Sequence, residues 1–168
     1  MRPLAQDRTV GVNLSARQFA DPKLVDIVTR ALQDSNLSPE RLELEVSEST
    51  AMQHSEPAMQ TLRKLRSLGV KLVIDDFGTS YSSLVNLKRY PIDKLKIDKS
   101  LIEPIPADAD SADIVVAIVD LSHALGLKVV AEGVETEAQE KVLRDAGCDL
   151  MQGFRLGGPM DPEAAKDG

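Results

Sequence analysis

Leu42-Glu43-Leu44-Glu45-Val46-Ser47 alternates apolar and polar residues without a break. A strand sends successive side chains to opposite faces, so Leu42, Leu44 and Val46 share one face and Glu43, Glu45 and Ser47 the other. The same parity recurs along the chain. In 10–15, Val10, Val12 and Leu14 oppose Asn13; in 72–75, Leu72 and Ile74 oppose Val73 and Asp75. In 94–98, Leu95 and Ile97 oppose Lys96. In 129–132, Val129 and Ala131 oppose Val130 and Glu132, and in 150–152 Met151 opposes Gln152. Each strand therefore offers an apolar face to pack outward on helices. Near its C-terminal end it turns one polar group to the other side.

Helical patterns fill the intervals. Leu24, Val25, Val28, Ala31 and Leu32 recur at helical spacing, as do Leu62, Leu65 and Leu68 before Gly69. A helix is expected over 111–125, with Ser111 as N-cap and Gly126 past its end. Another is expected over 136–146, with Thr136 and Gln139 forming a capping box. Residues 81–88 read as a short helix, 101–110 as a surface loop and 159–168 as a loose tail. Six strands alternating with helices imply parallel β with right-handed crossovers. In a doubly wound sheet, helices on both faces would split the polar ends. Six inward polar ends in phase favour an incomplete TIM-like (β/α) barrel, whose active site lies at the C-terminal strand ends. The expected domain is 1–160, with a flexible tail at 161–168.

Composition narrows the partners. The 168-residue chain carries a net charge of −7, whereas domains that bind nucleic-acid polymers are usually basic. Aromatics make up 3%, too few for a base-stacking platform. The single cysteine, Cys148, rules out an internal disulfide and reads as a small buried hydrophobe. No apolar run approaches the ~20 residues of a membrane span, and the first residues lack a signal-peptide core. The chain is expected to be cytoplasmic.

The polar strand ends are Asn13, Glu45, Asp75, Lys96, Glu132 and Gln152. Asn13, Glu45, Asp75 and Glu132, with Asp76 beside them, form the hard oxygen set that Mg²⁺ or Mn²⁺ prefers. Neither histidine belongs to it: His54 lies in a polar segment and His123 in a helix. Asp75 is placed to bridge two cations and activate a water. Lys96 is placed to hold that water or balance transition-state charge. A Schiff-base role for Lys96 conflicts with the acids around it, which keep its amine protonated.

The strand at 71–75 opens into Asp75-Asp76-Phe77-Gly78-Thr79-Ser80-Tyr81-Ser82-Ser83-Leu84. With Val12-Asn13-Leu14-Ser15-Ala16-Arg17-Gln18-Phe19, Leu42 to Ser49, Lys94-Leu95-Lys96-Ile97-Asp98, Ala131-Glu132-Gly133-Val134-Glu135-Thr136 and Gln152-Gly153-Phe154, it resembles the EAL-type cyclic di-GMP phosphodiesterases of bacteria. The resemblance implies cleavage of cyclic di-GMP to linear pGpG with two Mg²⁺ or Mn²⁺ ions. It implies that Asn13, Glu45, Asp75, Asp76 and Glu132 ligate metal or support its ligands. Lys96 would position the nucleophilic water, Glu132 would serve as base, and Gln152 would help position water or substrate. Glu48 would anchor the loop 76–83, and Glu135 would support the site from behind. Glu135 and Glu137 also read as first-turn helix acids.

Two departures from the family stand out. Ser80 replaces a usual Gly, which costs roughly 1 kcal/mol if that position needs positive φ. The Glu-Ala-Leu motif is absent, so the chain corresponds to strands 3 to 8 of the family barrel, its C-terminal two-thirds. One ligand Glu and a substrate-binding Arg are missing with it. The alternative to hydrolysis is a non-catalytic cyclic di-GMP-binding or scaffold module. Open sheet edges further imply a homo-oligomer or attachment to an upstream segment or sensory domain.

Overall fold

The computed structural model describes residues 9–51, 56–79 and 84–157. Ser80, the loop residues 81–83, His54 and the tail from 158 lie outside them. Among the described residues six strands are present: β1 (Val10–Leu14), β2 (Leu42–Ser47), β3 (Lys71–Phe77), β4 (Lys94–Ile97), β5 (Lys128–Glu132) and β6 (Leu150–Gln152). All five pairings are parallel, in the spatial order β1-β2-β3-β4-β5-β6. The sheet curls as a half-barrel, with every strand's C-terminal end on one rim.

Helices occupy the outer face: α1 (Ala16–Phe19), α2 (Leu24–Ser35), α3 (Glu48–Ala51), α4 (Glu56–Ser67), α5 (Lys99–Ile102), α6 (Ala109–Ala124) and α7 (Glu137–Asp145). Leu44, Val46, Leu72, Ile74, Leu95, Ile97, Val129 and Ala131 are almost fully buried in one core with Leu62, Leu65, Val115, Val119 and Leu143 from the helices. That is the outward apolar face expected from strand parity. At the β1 edge Val12 departs from it, at 40% exposed. Among the described residues β1 pairs with β2 alone and β6 with β5 alone.

The capping box at Thr136 forms, with Gln139 N donating to Thr136 Oγ1. The start of α6 differs from expectation. Asp108 caps it by accepting from Asp110 N, and Ser111 Oγ donates to the same carboxylate. Asp bonds the N2 amide in the same manner as Ser, and the earlier acid takes the cap. The segment expected as a loop after β4 begins with α5, capped by Asp98 accepting from Ser100 N. The short helix expected over 81–88 is a 3₁₀ turn over Leu84–Arg89.

Candidate active site

Four strands deliver one side chain each to a single point inside the sheet. Lys96 Nζ on β4 lies 2.8 Å from Glu45 Oε2 on β2, 3.4 Å from Asp75 Oδ1 on β3 and 2.6 Å from Glu132 Oε1 on β5. Glu45 sits two strands from Lys96, beyond the intervening β3. Curvature and twist of the sheet bring them together, and Val73 on β3, facing inward beside Glu45, leaves room for the span. One layer deeper Lys94 reaches Glu43 in the same way, at 2.5 Å. Burial works against the Lys96 ammonium. Hydrogen bonds donated to Glu132 and Glu45 and the charge of Asp75 outweigh it and push its pKa well above the ordinary lysine value. An amine held that firmly as ammonium is unsuited to Schiff-base chemistry.

A β-bulge aims the two adjacent acids. Ile74 pairs with Leu95 but Phe77 with Ile97, so β3 spends one residue more than β4. The extra residue falls at Asp75-Asp76, where Asp76 adopts φ 55°. Bulges re-aim side chains in this way. Phe77 returns to the buried outer face while Asp75 keeps its inward direction. Burial, then the charges of Asp75 and Asp98, hold the Asp76 carboxyl above its ordinary pKa against the pull of Lys96.

Behind the bulge, Glu48 is 1% exposed and its Oε2 accepts from Gly78 N at 3.1 Å. This bond ties Glu48 to the segment that follows Asp76. Its Oε1 is buried with no hydrogen-bond partner among the described residues.

The other expected positions lie around this centre. Asn13 stands in register with Glu45 and is exposed at the β1 edge. Gln152 stands in register with Glu132. Glu132, Glu135, Gln152, Asp98, Lys99 and Phe154 line a cleft of about 620 Å³ at the rim. Among the described residues, no three acid, histidine or cysteine side chains are spaced to hold a metal ion. The point where the carboxylates converge is filled by the Lys96 ammonium. That ammonium acts as a stand-in cation, and oxygens already gathered on a cation fit a hard divalent ion in donor type. His123 is remote from this centre, paired with Asp149 at 2.8 Å.

Two supporting glycines escaped the strand-parity reading. A Cβ on Gly11 would lie 2.6 Å from Glu45 Oε1, so its absence leaves room for that carboxylate. Gly153 lets the end of β6 cross the backbone of Val134. An isolated glycine within a strand pattern marks such close approaches, and Val10-Gly11-Val12 carried that signal.

Comparison with known proteins is consistent throughout. The EAL domain family matches residues 1–159. The chain belongs to the EAL domain family. It is 52% identical over 157 residues to the bifunctional diguanylate cyclase/cyclic di-GMP phosphodiesterase MucR of Pseudomonas aeruginosa, covering 94% of this chain and 23% of MucR. The cyclic di-GMP phosphodiesterase NbdA of the same organism is 44% identical over 158 residues, covering 94% of this chain and 20% of NbdA. The solved MucR phosphodiesterase in complex with c-di-GMP superposes with a TM-score of 0.89, covering 93% of this chain and 63% of that one. The manganese/cy-diGMP complex of Klebsiella pneumoniae BlrP1 gives 0.83 at 34% identity, covering 89% and 38%. This EAL chain thus spans about a quarter or less of these curated relatives. Among the described residues, no helix is long and apolar enough to cross a membrane.

Proposed function

We propose that this chain carries the greater part of a divalent-metal phosphodiesterase site that hydrolyses cyclic di-GMP to linear pGpG. The observation that carries the reading is the convergence of Glu45, Asp75 and Glu132 on one cationic point at the C-terminal rim of a curled parallel sheet. The cyclic di-GMP complexes of MucR and BlrP1 support the substrate, and the manganese in the latter supports the metal.

In this reading residues 1–160 are the C-terminal two-thirds of the EAL domain. Glu45, Asp75, Asp76, Glu132 and Asn13 would hold Mg²⁺ or Mn²⁺. Bound there, the metal supplies Lewis acidity toward the phosphate and lowers the pKa of the attacking water. Water adds to phosphorus, the P–O3′ bond breaks, and the 3′-oxygen takes a proton from solvent and leaves as a hydroxyl. Glu132 accepts the water's proton. Lys96 offsets the negative charge that grows on the phosphoryl oxygens. Gln152 and Glu135 border the cleft where substrate enters, and Glu48 steadies the loop following Asp76.

The test is incubation with cyclic di-GMP and Mn²⁺, followed by chromatography. Formation of pGpG, abolished by EDTA and by Glu132→Gln, is expected; its absence at high enzyme concentration defeats the hydrolytic reading. A second reading, binding without cleavage, is favoured by the Lys96 ammonium standing at the convergence point. Equilibrium dialysis showing cyclic di-GMP bound but intact would establish it.

A further inference from the structure

We propose that Lys96 is a built-in competitor for the metal, an internal counter-cation that holds the acid cluster together when no divalent ion is bound and must give way when one binds. The proposal rests on the metal-site reading and concerns how that site is loaded.

Three observations support it. First, the ammonium is shared by carboxylates from β2, β3 and β5 at 2.6–3.4 Å, so one charge links three strands. Second, the cluster is sheltered. The Lys96 side chain is 11% exposed, Glu45 13% and Asp75 15%, so bulk ions screen their mutual repulsion poorly. Remove the ammonium and three carboxylates face each other across a space they cannot share, and the β2, β3 and β5 rim should splay. Third, the oxygens that contact Lys96 come from the residues assigned to the metal. With the ammonium in place, these acids, like every other group of three among the described residues, are not spaced for coordination.

A divalent ion therefore cannot take Glu45, Asp75 and Glu132 together while the ammonium keeps its contacts. The side chain has a route outward, since a flexible lysine stem carries its charge toward solvent at the rim while staying packed. After loading, the displaced ammonium lies beside the metal, where it is free to meet a phosphate or water. Competition thus couples metal arrival to the release of Lys96 for its role in the reaction.

The neighbouring lysine supplies the control. Lys94 makes an equivalent contact to Glu43, one layer deeper, and touches none of the assigned ligands. Both lysines are partly buried and ion-paired, so a general loss of stability should appear in either variant.

The experiment is calorimetric titration of the purified chain with Mn²⁺ and with Mg²⁺, together with thermal melting with and without the ion. Wild type, Lys96→Met and Lys94→Met are compared. Lys96→Met is expected to melt lower without metal and to gain more from added metal than wild type. It should bind the ion about tenfold more tightly or better, since a +1 and a +2 charge ~4 Å apart repel by at least that much even with water-like screening. Lys94→Met should melt lower and bind the ion as wild type does. If wild type binds metal and Lys96→Met binds it equally or more weakly, competition is overturned and the metal site stands. If neither binds metal, the metal site itself is refuted and the competition with it.

A measurement on wild type guards against a variant that does not fold. The ¹⁵N-labelled Lys96 ammonium should be protected from proton exchange in the metal-free chain and lose that protection as Mg²⁺ saturates. An ammonium signal unchanged at saturation overturns the proposal.

Discussion

Gly153→Ala offers a direct test of how the sheet's last strand is fixed beside the site. A Cβ at Gly153 would overlap the backbone O and N of Val134 and lie 2.8 Å from its carbonyl carbon. Carbon atoms rest at about 3.5–4.0 Å, so the end of β6 and the Gly133-Val134 turn must separate by roughly 1 Å. The obstacle is backbone, which cannot swing aside. Overpacking of this kind costs about 1–3 kcal/mol. Separation also strains two backbone hydrogen bonds, Val134 N to Gln152 O and Arg155 N to Val134 O, both 3.1 Å. Each contributes about 0.5–1.5 kcal/mol, so a total near 3 kcal/mol is expected. For a chain of this size that lowers Tm by about 6–12 °C. Gly126→Ala is the control: its φ is +75° but nothing lies within 4 Å of its Cβ position. Only backbone strain of about 1 kcal/mol applies there. Scanning calorimetry of the two variants decides. A Gly153→Ala melting point within 2 °C or so of wild type, or one no lower than that of Gly126→Ala, would refute the close approach. Because Gln152 and Glu132 stand in register beside the crossing, turnover should fall more in Gly153→Ala than in the control.

Other consequences are equally checkable. Lys94→Met leaves Glu43 charged and largely buried without its partner, which costs about 3 kcal/mol; urea melts should show it, and the double variant with Glu43→Gln should recover most of the loss. Glu48→Ala frees the Gly78 amide from a charged acceptor worth about 1.5–3 kcal/mol, so hydrogen exchange at Gly78 should accelerate at least tenfold by mass spectrometry. Burial tends to raise the Asp149 pKa, but hydrogen bonds from His123 and from Val129 N and the charge of His123 hold it below the ordinary aspartate value. A depressed folded pKa gives stability that is present above the unfolded value of about 3.9 and is lost as pH falls through the folded one. Melting points of Asp149→Asn should therefore fall less than those of wild type between pH 5 and roughly 3. Equal slopes would show that this carboxylate is not linked to folding.

The period-2 pattern carried most of the fold, because a parallel sheet with one helix-covered face writes its two faces into alternate residues. Leu44, Val46, Ile74, Leu95 and Ile97 are buried where parity places them. Inward Glu45, Asp75, Lys96 and Glu132 meet at one point for the same reason. What parity cannot express is distance across strands. It placed Lys96 in the ring but not at its centre, since the span to Glu45 depends on sheet curvature. It likewise placed Asp75-Asp76 at a strand end but not the extra residue in β3, which exists only relative to β4. The α6 cap was misplaced by three residues because Asp108 and Ser111 are both good caps, and Ser111 bonds to Asp108 instead of competing with it.

Departures from regular sheet geometry concentrate where the acids are. The bulge sits at Asp75-Asp76, the missing Cβ at Gly11 faces Glu45, and the backbone crossing at Gly153 adjoins Gln152 and Glu132. Each is a device that lets a polar group or a backbone approach closer than a regular strand allows, and each costs stability by itself. The interior strands away from the rim show none of them. Irregularity placed beside the acids is expected where the inner face must present converging charge and the outer face must still seal a core. A purely structural half-barrel has no need to gather three carboxylates. The ammonium at their centre then has a physical reason to be there: without metal, something positive must hold the rim closed.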